Sequence, residues 1–382
     1  MTHEIVKYRP EFRSQLLELQ AHLWGPDPAL NAAYLEWKYE RNPYTDAPYI
    51  HVALHDGCVV AMRGGFGSQW QVGNPPQMMK WICAGDMVIV PEHRGGGLFR
   101  ALVRTALNDM VADGYTHTLV LSAVPTAFWG AVKMGWRCPG PYRLLQRQTW
   151  RGRLNELGQR LDRRSPALGR LRKIGRIASS DTSRDLFAEL ERSVDRGRET
   201  VDDRLYIEKA PRPKAMAALV ARVASDGRIG HVRDESFFAW RFADPFRRFR
   251  FLYWDDGGLG GYLILSAHRP PSQRTDVAIV DWEAKDAEVK SALLRTAIDR
   301  GRFDRLTIWS STLDDATRSL LHDAGFRAVE PRLMDRTGRL EPNWPGLLLR
   351  PTAEDALDGD WTLDGHDLLD ISNWNLRRAY SD

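Results

Sequence analysis

The chain has 382 residues, 43% of them apolar and 27% charged, which excludes a wholly disordered protein and is long enough for two or more domains. The formal net charge of +4 is concentrated: between Arg147 and Arg176 lie ten lysines and arginines against Glu156 and Asp162, so the remainder is mildly acidic and a nucleic-acid-binding face across the whole protein is excluded. Three widely spaced cysteines, Cys58, Cys83 and Cys138, exclude a disulfide framework and a cysteine-rich zinc site, and fit a reducing, cytoplasmic setting.

The first ten residues carry Glu4 and Lys7 and no apolar run, so no secretory signal is expected. Tyr34, Trp37, Lys38 and Tyr39 then form an aromatic cluster ahead of the turn signal Asn42-Pro43. Apolar runs at 49–54 and 58–62 flank Asp56-Gly57 and predict a β-hairpin, with Arg63-Gly64-Gly65 after it. Residues 87–90 predict a short strand closed by Pro91. Residues 98–110 predict a helix whose apolar face holds Leu98, Leu102, Leu107 and Met110.

Segment 118–136 is apolar, but Pro125, Gly130, Lys133 and Gly135 divide it into a strand and a short helix, so a spanning helix is rejected. Beyond it, Leu154, Leu157 and Leu161, then Leu168, Leu171 and Ile174, recur at helical spacing around Ser165-Pro166 and predict two short basic amphipathic helices. These form a solvated connector, or a patch for an anionic membrane surface reached through Arg147 to Arg176.

The second half repeats the first. Phe237, Trp240, Arg241 and Phe242 precede Asp244-Pro245, runs at 249–254 and 261–265 flank a turn, and Gly325-Phe326 answers Gly135-Trp136. Order as well as residue type recurs, which implies a tandem duplication of one α/β unit. The expected organisation is a first domain at 1–148, a basic helical linker at 149–200 and a second domain at 201–382, with residues 344–382 completing either half.

The segment Glu92-His93-Arg94-Gly95-Gly96-Gly97 joins a predicted strand to a predicted helix. That arrangement presents free backbone N–H groups to a phosphate, and glycines let it approach. A nucleoside triphosphate loop needs Gly-Lys-Ser/Thr, whereas Leu98-Phe99 follows Gly97. A dinucleotide fingerprint needs a third glycine where Arg100 stands.

The stretch from Val90 through Arg94, Gly95, Gly96, Gly97, Leu98 and Phe99 resembles the acyl-CoA pyrophosphate loop of the GNAT N-acyltransferase superfamily. Strand 119–122 and the ending Lys133-x-Gly135-Trp136 resemble the next family elements. Phe99 replaces a small residue of the family pattern. The resemblance implies a mixed α/β fold made of two tandem GNAT-like domains, the second degenerate because 280–290 has no glycine loop.

It also implies direct acyl transfer from acetyl-CoA or another acyl-CoA, with no metal, to an amine on a small molecule, amino sugar, amino acid or peptide. Backbone N–H groups near Val88 to Val90 would stabilise the oxyanion, and Arg94 to Phe99 would hold the pyrophosphate. Asp86 is the candidate base, on the strand face shared with Val88 and Val90. Trp37, Tyr39 and Arg63 would line the acceptor pocket, a sugar platform being one form of it. Ala131 occupies the family's acid tyrosine position, and Tyr142 and Ser122 are weak substitutes. Two other readings stay open: a non-catalytic CoA- or partner-binding module, and an acyltransferase on lipid-linked or surface-polymer sugars.

Overall fold

The structure, a computed structural model, describes residues 2–121, 125–150, 152, 186–195, 202–223, 226–269, 276–329 and 346–381. The first half runs β1 (Glu4–Lys7), α1 (Arg13–Trp24), α2 (Pro28–Leu35), β2 (Tyr49–His55), β3 (Cys58–Val72), β4 (Gln77–Ile89), α3 (Leu98–Ala112), β5 (His117–Val120), α4 (Pro125–Val132) and β6 (Leu144–Gln148). The second runs α5 (Ala188–Asp195), β7 (Leu205–Glu208), α6 (Pro213–Arg222), β8 (Ile229–His231), α7 (Glu235–Arg241), β9 (Arg247–Asp255), β10 (Leu259–His268), β11 (Val277–Ala284), α8 (Ala287–Gly301), β12 (Arg305–Trp309), α9 (Asp315–Asp323) and β13 (Arg327–Val329). After these come β14 (Leu348–Pro351), the small hairpin of β15 (Thr362–Leu363) and β16 (His366–Asp367), and β17 (Trp374–Asn375).

The duplication is plain in this order, since β2-β3-β4-α3-β5-α4 matches β9-β10-β11-α8-β12-α9. The compact units cut across it. One comprises Met1–Tyr142, Ala224–Pro245 and Glu330–Asp382; the other comprises Arg143–Val223 and Phe246–Val329. Two strand choices account for the difference from boundaries at 148 and 201. Strand β6 leaves the first copy to pair with β12 and β13, and β14 from the C-terminal segment pairs with β5. The predicted basic helices, and with them the membrane-facing patch, lie outside the described residues. Arg147, at the edge of that segment, is in β6 and donates to the Ala324 carbonyl at 3.1 Å.

In the first unit the sheet order is β1-β2-β3-β4-β5-β14, with β8 paired to the far end of β3 and β17 to β8. Side chains alternate across the sheet. Ile50, Val52, Met62 and Val88 meet Leu16 and Leu19 of α1, whereas Ala53 and Ala61 meet Leu98 and Leu102 of α3. Helix α3 is also tied down polarly: His51 Nε2 lies 2.7 Å from Asp109, and the Tyr49 hydroxyl donates to Asp113 at 3.1 Å.

Strands β3 and β4 form one long hairpin, far beyond the short runs predicted at 58–62 and 87–90. Its glycines disguise it, because they are packing positions. A Cβ on Gly64 would meet the Tyr39 hydroxyl at 2.2 Å, and one on Gly65 would meet Ile82 at 2.6 Å. The second unit has the sheet order β13-β6-β12-β11-β10-β9-β7, with Val289, Leu293, Leu294 and Ala297 of α8 packed on it. All three cysteines are free.

Candidate functional site

Strand β4 is the spine of the site. Its ladder with β3 shifts register between Arg63 and Gly64, which pair with Met87 and Gly85, so Asp86 is the extra residue of a β-bulge. Its φ of 20° marks the kink, a conformation aspartate tolerates better than most residues. The bulge breaks the simple alternation expected for 86, 88 and 90.

Asp86 is buried among donors. Lys38 Nζ lies 3.1 Å from Asp86 Oδ2, both side chains being almost fully buried, and the Tyr39 hydroxyl donates to the same oxygen at 2.5 Å. Lys38 also donates to the Tyr34 hydroxyl at 2.8 Å. Among the described residues nothing bonds Asp86 Oδ1. Lys38 and Tyr39 reach the strand because α2 runs on into a π-helical turn, Glu36–Glu40, closed by Arg41 N–H donating to the Glu36 carbonyl at 2.8 Å. That wider turn buries three successive side chains, Trp37, Lys38 and Tyr39.

Trp37 is a correction to the acceptor pocket. One face stacks on Trp240 at 5.5 Å and 17°, Arg241 lies 5.1 Å from its ring centroid, and its Nε1 donates to the Trp240 carbonyl at 2.8 Å. A ring so covered cannot be a sugar platform. Arg63 behaves differently. Its guanidinium is buried, lies 5.9 Å from the Trp136 ring centroid, and has no carboxylate partner among the described residues. Burial pushes its pKa down to about 10, partly offset by Tyr39.

Strands β4 and β5 pair over only two parallel positions, Ile82 with Thr118 and Cys83 with Leu119, although β4 continues to Ile89. Beyond Cys83 the side of β4 away from β3 therefore has no strand bonded to it among the described residues. Of the expected span 88–90, the N–H groups of Val88 and Val90 face β3 instead. Val90 N–H donates to the Val60 carbonyl at 3.1 Å, and antiparallel alternation commits Val88 to β3 likewise. Met87 and Ile89 are the residues whose N–H groups the alternation turns toward the opening.

Past β4 the turn Pro91–His93 leads into the glycines. Gly95 and Gly97 have φ of 84° and 81°, the left-handed region that side chains resist. A Cβ at Gly95, Gly96 or Gly97 would meet nothing within 4 Å, so the loop is open. Gly97 is the N-cap of α3 and no side chain caps the helix. The first N–H groups of a 15-residue helix, from Leu98 and Phe99 onward, are thus left for an external acceptor, with the positive end of the helix dipole behind them. Arg94 is braced beside them, its Nε donating to the Ile89 carbonyl at 2.9 Å.

The second copy closes the same place. Asp286 caps α8, its carboxylate accepting from Val289 N–H at 2.8 Å, and Glu288 follows in the first turn. Two acids where an anion would dock make that helix end unfit for a diphosphate. The signal was available in the sequence as an N-cap aspartate before an apolar helical run. The candidate acids divide: Ser122 lies outside the described residues, and Tyr142 is wholly buried, with burial pushing its phenol well up.

The chain matches the Acetyltransferase (GNAT) family over residues 14–129 and a second Acetyltransferase (GNAT) domain family over residues 230–340. No curated protein matches it. Among solved structures it is similar to a GCN5-related N-acetyltransferase from Anabaena variabilis (TM-score 0.58, 14% identity, 92% of this chain and 73% of that one). It is also similar to Eis1 from Mycobacterium abscessus (TM-score 0.52, 14% identity, 93% and 74%). A tandem GNAT protein from the clavulanic acid biosynthesis pathway is similar over 92% of this chain and 99% of its own (TM-score 0.50, 14% identity). The two family matches fall one on each copy of the duplicated fold, and the chain therefore belongs to the GNAT family of N-acetyltransferases, as a member with two GNAT domains.

Proposed function

We propose that this chain transfers an acyl group, acetyl in the first place, from acyl-CoA to the amine of a small acceptor by direct attack, using the first GNAT domain alone. The observation that carries the reading is the uncapped N-terminus of α3 behind an open glycine loop. The diphosphate of CoA is bound there by main-chain N–H groups and Arg94, and the thioester lies along the unpaired side of β4. As the amine nitrogen bonds the carbonyl carbon, the oxygen becomes an oxyanion that accepts from the N–H of Met87 or Ile89. The C–S bond then breaks and CoA leaves as a thiolate, whose ordinary pKa of about 8.5 spares the site a dedicated acid where Ala131 stands.

Asp86 Oδ1 is the acceptor for the amine proton. Bond formation to the carbonyl makes that N–H strongly acidic, so a carboxylate already holding Lys38 and Tyr39 through Oδ2 is base enough. Arg63 gives the acceptor a chemical character: a buried guanidinium without a carboxylate partner among the described residues favours an acceptor that brings its own anionic group, as an amino acid or peptide does.

Titration calorimetry with acetyl-CoA tests the reading. Wild type binds, and Gly97→Asp, which puts a carboxylate at the helix end, binds at least about 100-fold more weakly. Equal binding by both would move the site elsewhere. Thiol release with a panel of amines separates turnover from binding alone, since a binding module releases none with any acceptor.

A further inference from the structure

Three histidines outside the acyl-transfer site converge. His3 immediately precedes β1, His55 ends β2, and His93 closes the turn Pro91–His93. The register of β1 on β2 pairs Glu4 with Leu54, which brings His3 opposite His55. One ligating atom from each ring lies within 4.8 Å of the other two, and His3 Nε2 is 2.9 Å from His93 Nδ1. All three are partly buried, so the rings are held and still reachable.

We propose that His3, His55 and His93 form a binding site for a divalent first-row transition metal, Zn2+ in particular, that clamps the turn leading into the glycine loop. Bonds of about 2.0–2.1 Å in tetrahedral geometry set ligand nitrogens about 3.3 Å apart, a small adjustment from the spacing present. His55 is already oriented for the task. Its Nδ1 lies 3.1 Å from the Thr2 carbonyl, which can only accept, so Nδ1 carries the proton and Nε2 keeps its lone pair. Asp56 Oδ2 lies 3.6 Å from that Nε2 and is exposed, in reach as a fourth ligand where solvent does not take the position.

The proton between His3 and His93 moves to the far nitrogen of its ring when the metal takes its place. Chain connectivity makes the site a link between the N-terminal strand, the end of β2 and the residue next to Arg94. The metal takes no part in acyl transfer in this scheme.

The test uses the full, untagged chain stripped with a chelator. Titration calorimetry with ZnCl2 reads stoichiometry, and Co2+ substitution reads ligand geometry by its visible ligand-field absorption. One Zn2+ per chain and the intense bands of four-coordinate Co2+ are expected. His55→Ala and His93→Ala each weaken Zn2+ binding by more than about 100-fold, beyond what loss of an outer-shell partner costs. His22→Ala, on the exposed side of α1, leaves binding unchanged. His3→Ala, which lies ahead of β1 and outside any strand, carries the test if either other variant fails to fold. Wild type that binds well under one Zn2+ per chain, or a His3→Ala protein that binds as wild type does, overturns the proposal.

Discussion

Trp37 and Trp240 hold each other by the same contact made twice. Their rings stack at 5.5 Å, Trp37 Nε1 donates to the Trp240 carbonyl at 2.8 Å, and Trp240 Nε1 donates to the Trp37 carbonyl at 2.7 Å. They are equivalent residues of the duplicated block, so duplication supplied both halves of a buried hydrogen-bonded pair. The pair anchors the π-helical turn that delivers Lys38 and Tyr39 to Asp86.

Trp37→Phe or Trp240→Phe removes one indole donor with its hydrogen bond and leaves a void, at a cost of about 2–4 kcal/mol each. Because each ring stands on the other, the double variant is less destabilised than the two single losses added, with a coupling of about 1 kcal/mol or more. Urea denaturation of the four proteins reads this directly. Strict additivity would mean that the two rings stabilise the fold independently.

Asp86 and the glycine loop act on different steps, which gives a separable kinetic signature. Asp86→Asn keeps the shape and removes the proton acceptor. It lowers kcat by about 10^2–10^4 while acetyl-CoA affinity stays within a few-fold of wild type. The variant also leaves buried Lys38 without its ion-pair partner, a loss of about 3–5 kcal/mol, so its folding is checked by circular dichroism at the assay temperature. Gly64→Ala tests the same network from the other side. A methyl where the Tyr39 hydroxyl now sits displaces that hydroxyl from Asp86. A folded Asp86→Asn enzyme with full kcat would remove Asp86 from the chemistry.

The parts of the site that lie along one stretch of chain were legible in the sequence. The strand, the glycines and the helix after them are contiguous, and each residue type has a local backbone reason to be there. Position along the strand makes Asp86 a candidate, but its partners cannot be read that way: Lys38 sits 48 residues earlier, and only tertiary packing brings it across. The long β3–β4 hairpin was missed because Gly64, Gly65 and Gly67 look like a loop, whereas their missing side chains make room for Tyr39, Ile82 and Tyr44. The exchange of β6 and β14 was also hidden. A strand of four or five residues carries the same pattern whichever sheet receives it.

Two histidines, His231 buried and His117 half-buried, make the first unit acid-sensitive. Burial pushes His117 down to about 4 beside Trp81, and His231 down to about 3. His231 is stacked on Tyr380, and Arg241 and Arg233 act in the same direction as burial. In the unfolded chain both titrate near 6.5, so below that pH the unfolded state binds protons that the folded state refuses. Stability is full above about pH 6.5 and declines as pH falls toward 4, by about 2–3 kcal/mol for each ring. His117→Phe keeps an apolar ring and removes the titration, so its urea midpoint falls less steeply over that window than wild type's. Parallel pH profiles for the two proteins would count against the neutral ring.

The contrast between Gly97 and Asp286 predicts the number of acyl-CoA molecules each chain holds. Both residues stand at the N-terminus of a 15-residue helix after a central strand. Gly97 leaves the amides exposed; the Asp286 carboxylate occupies one of them and puts a negative charge where a diphosphate would arrive. Calorimetry with acetyl-CoA therefore gives one site per chain. Asp286→Ala costs about 1 kcal/mol of stability through loss of the cap and creates no second site, because Glu288 remains and no glycine loop lets the backbone close on a phosphate. A stoichiometry of two in wild type, or of one in Gly97→Asp at wild-type affinity, would show that the second copy binds the thioester and that the acids at its helix end do not repel it.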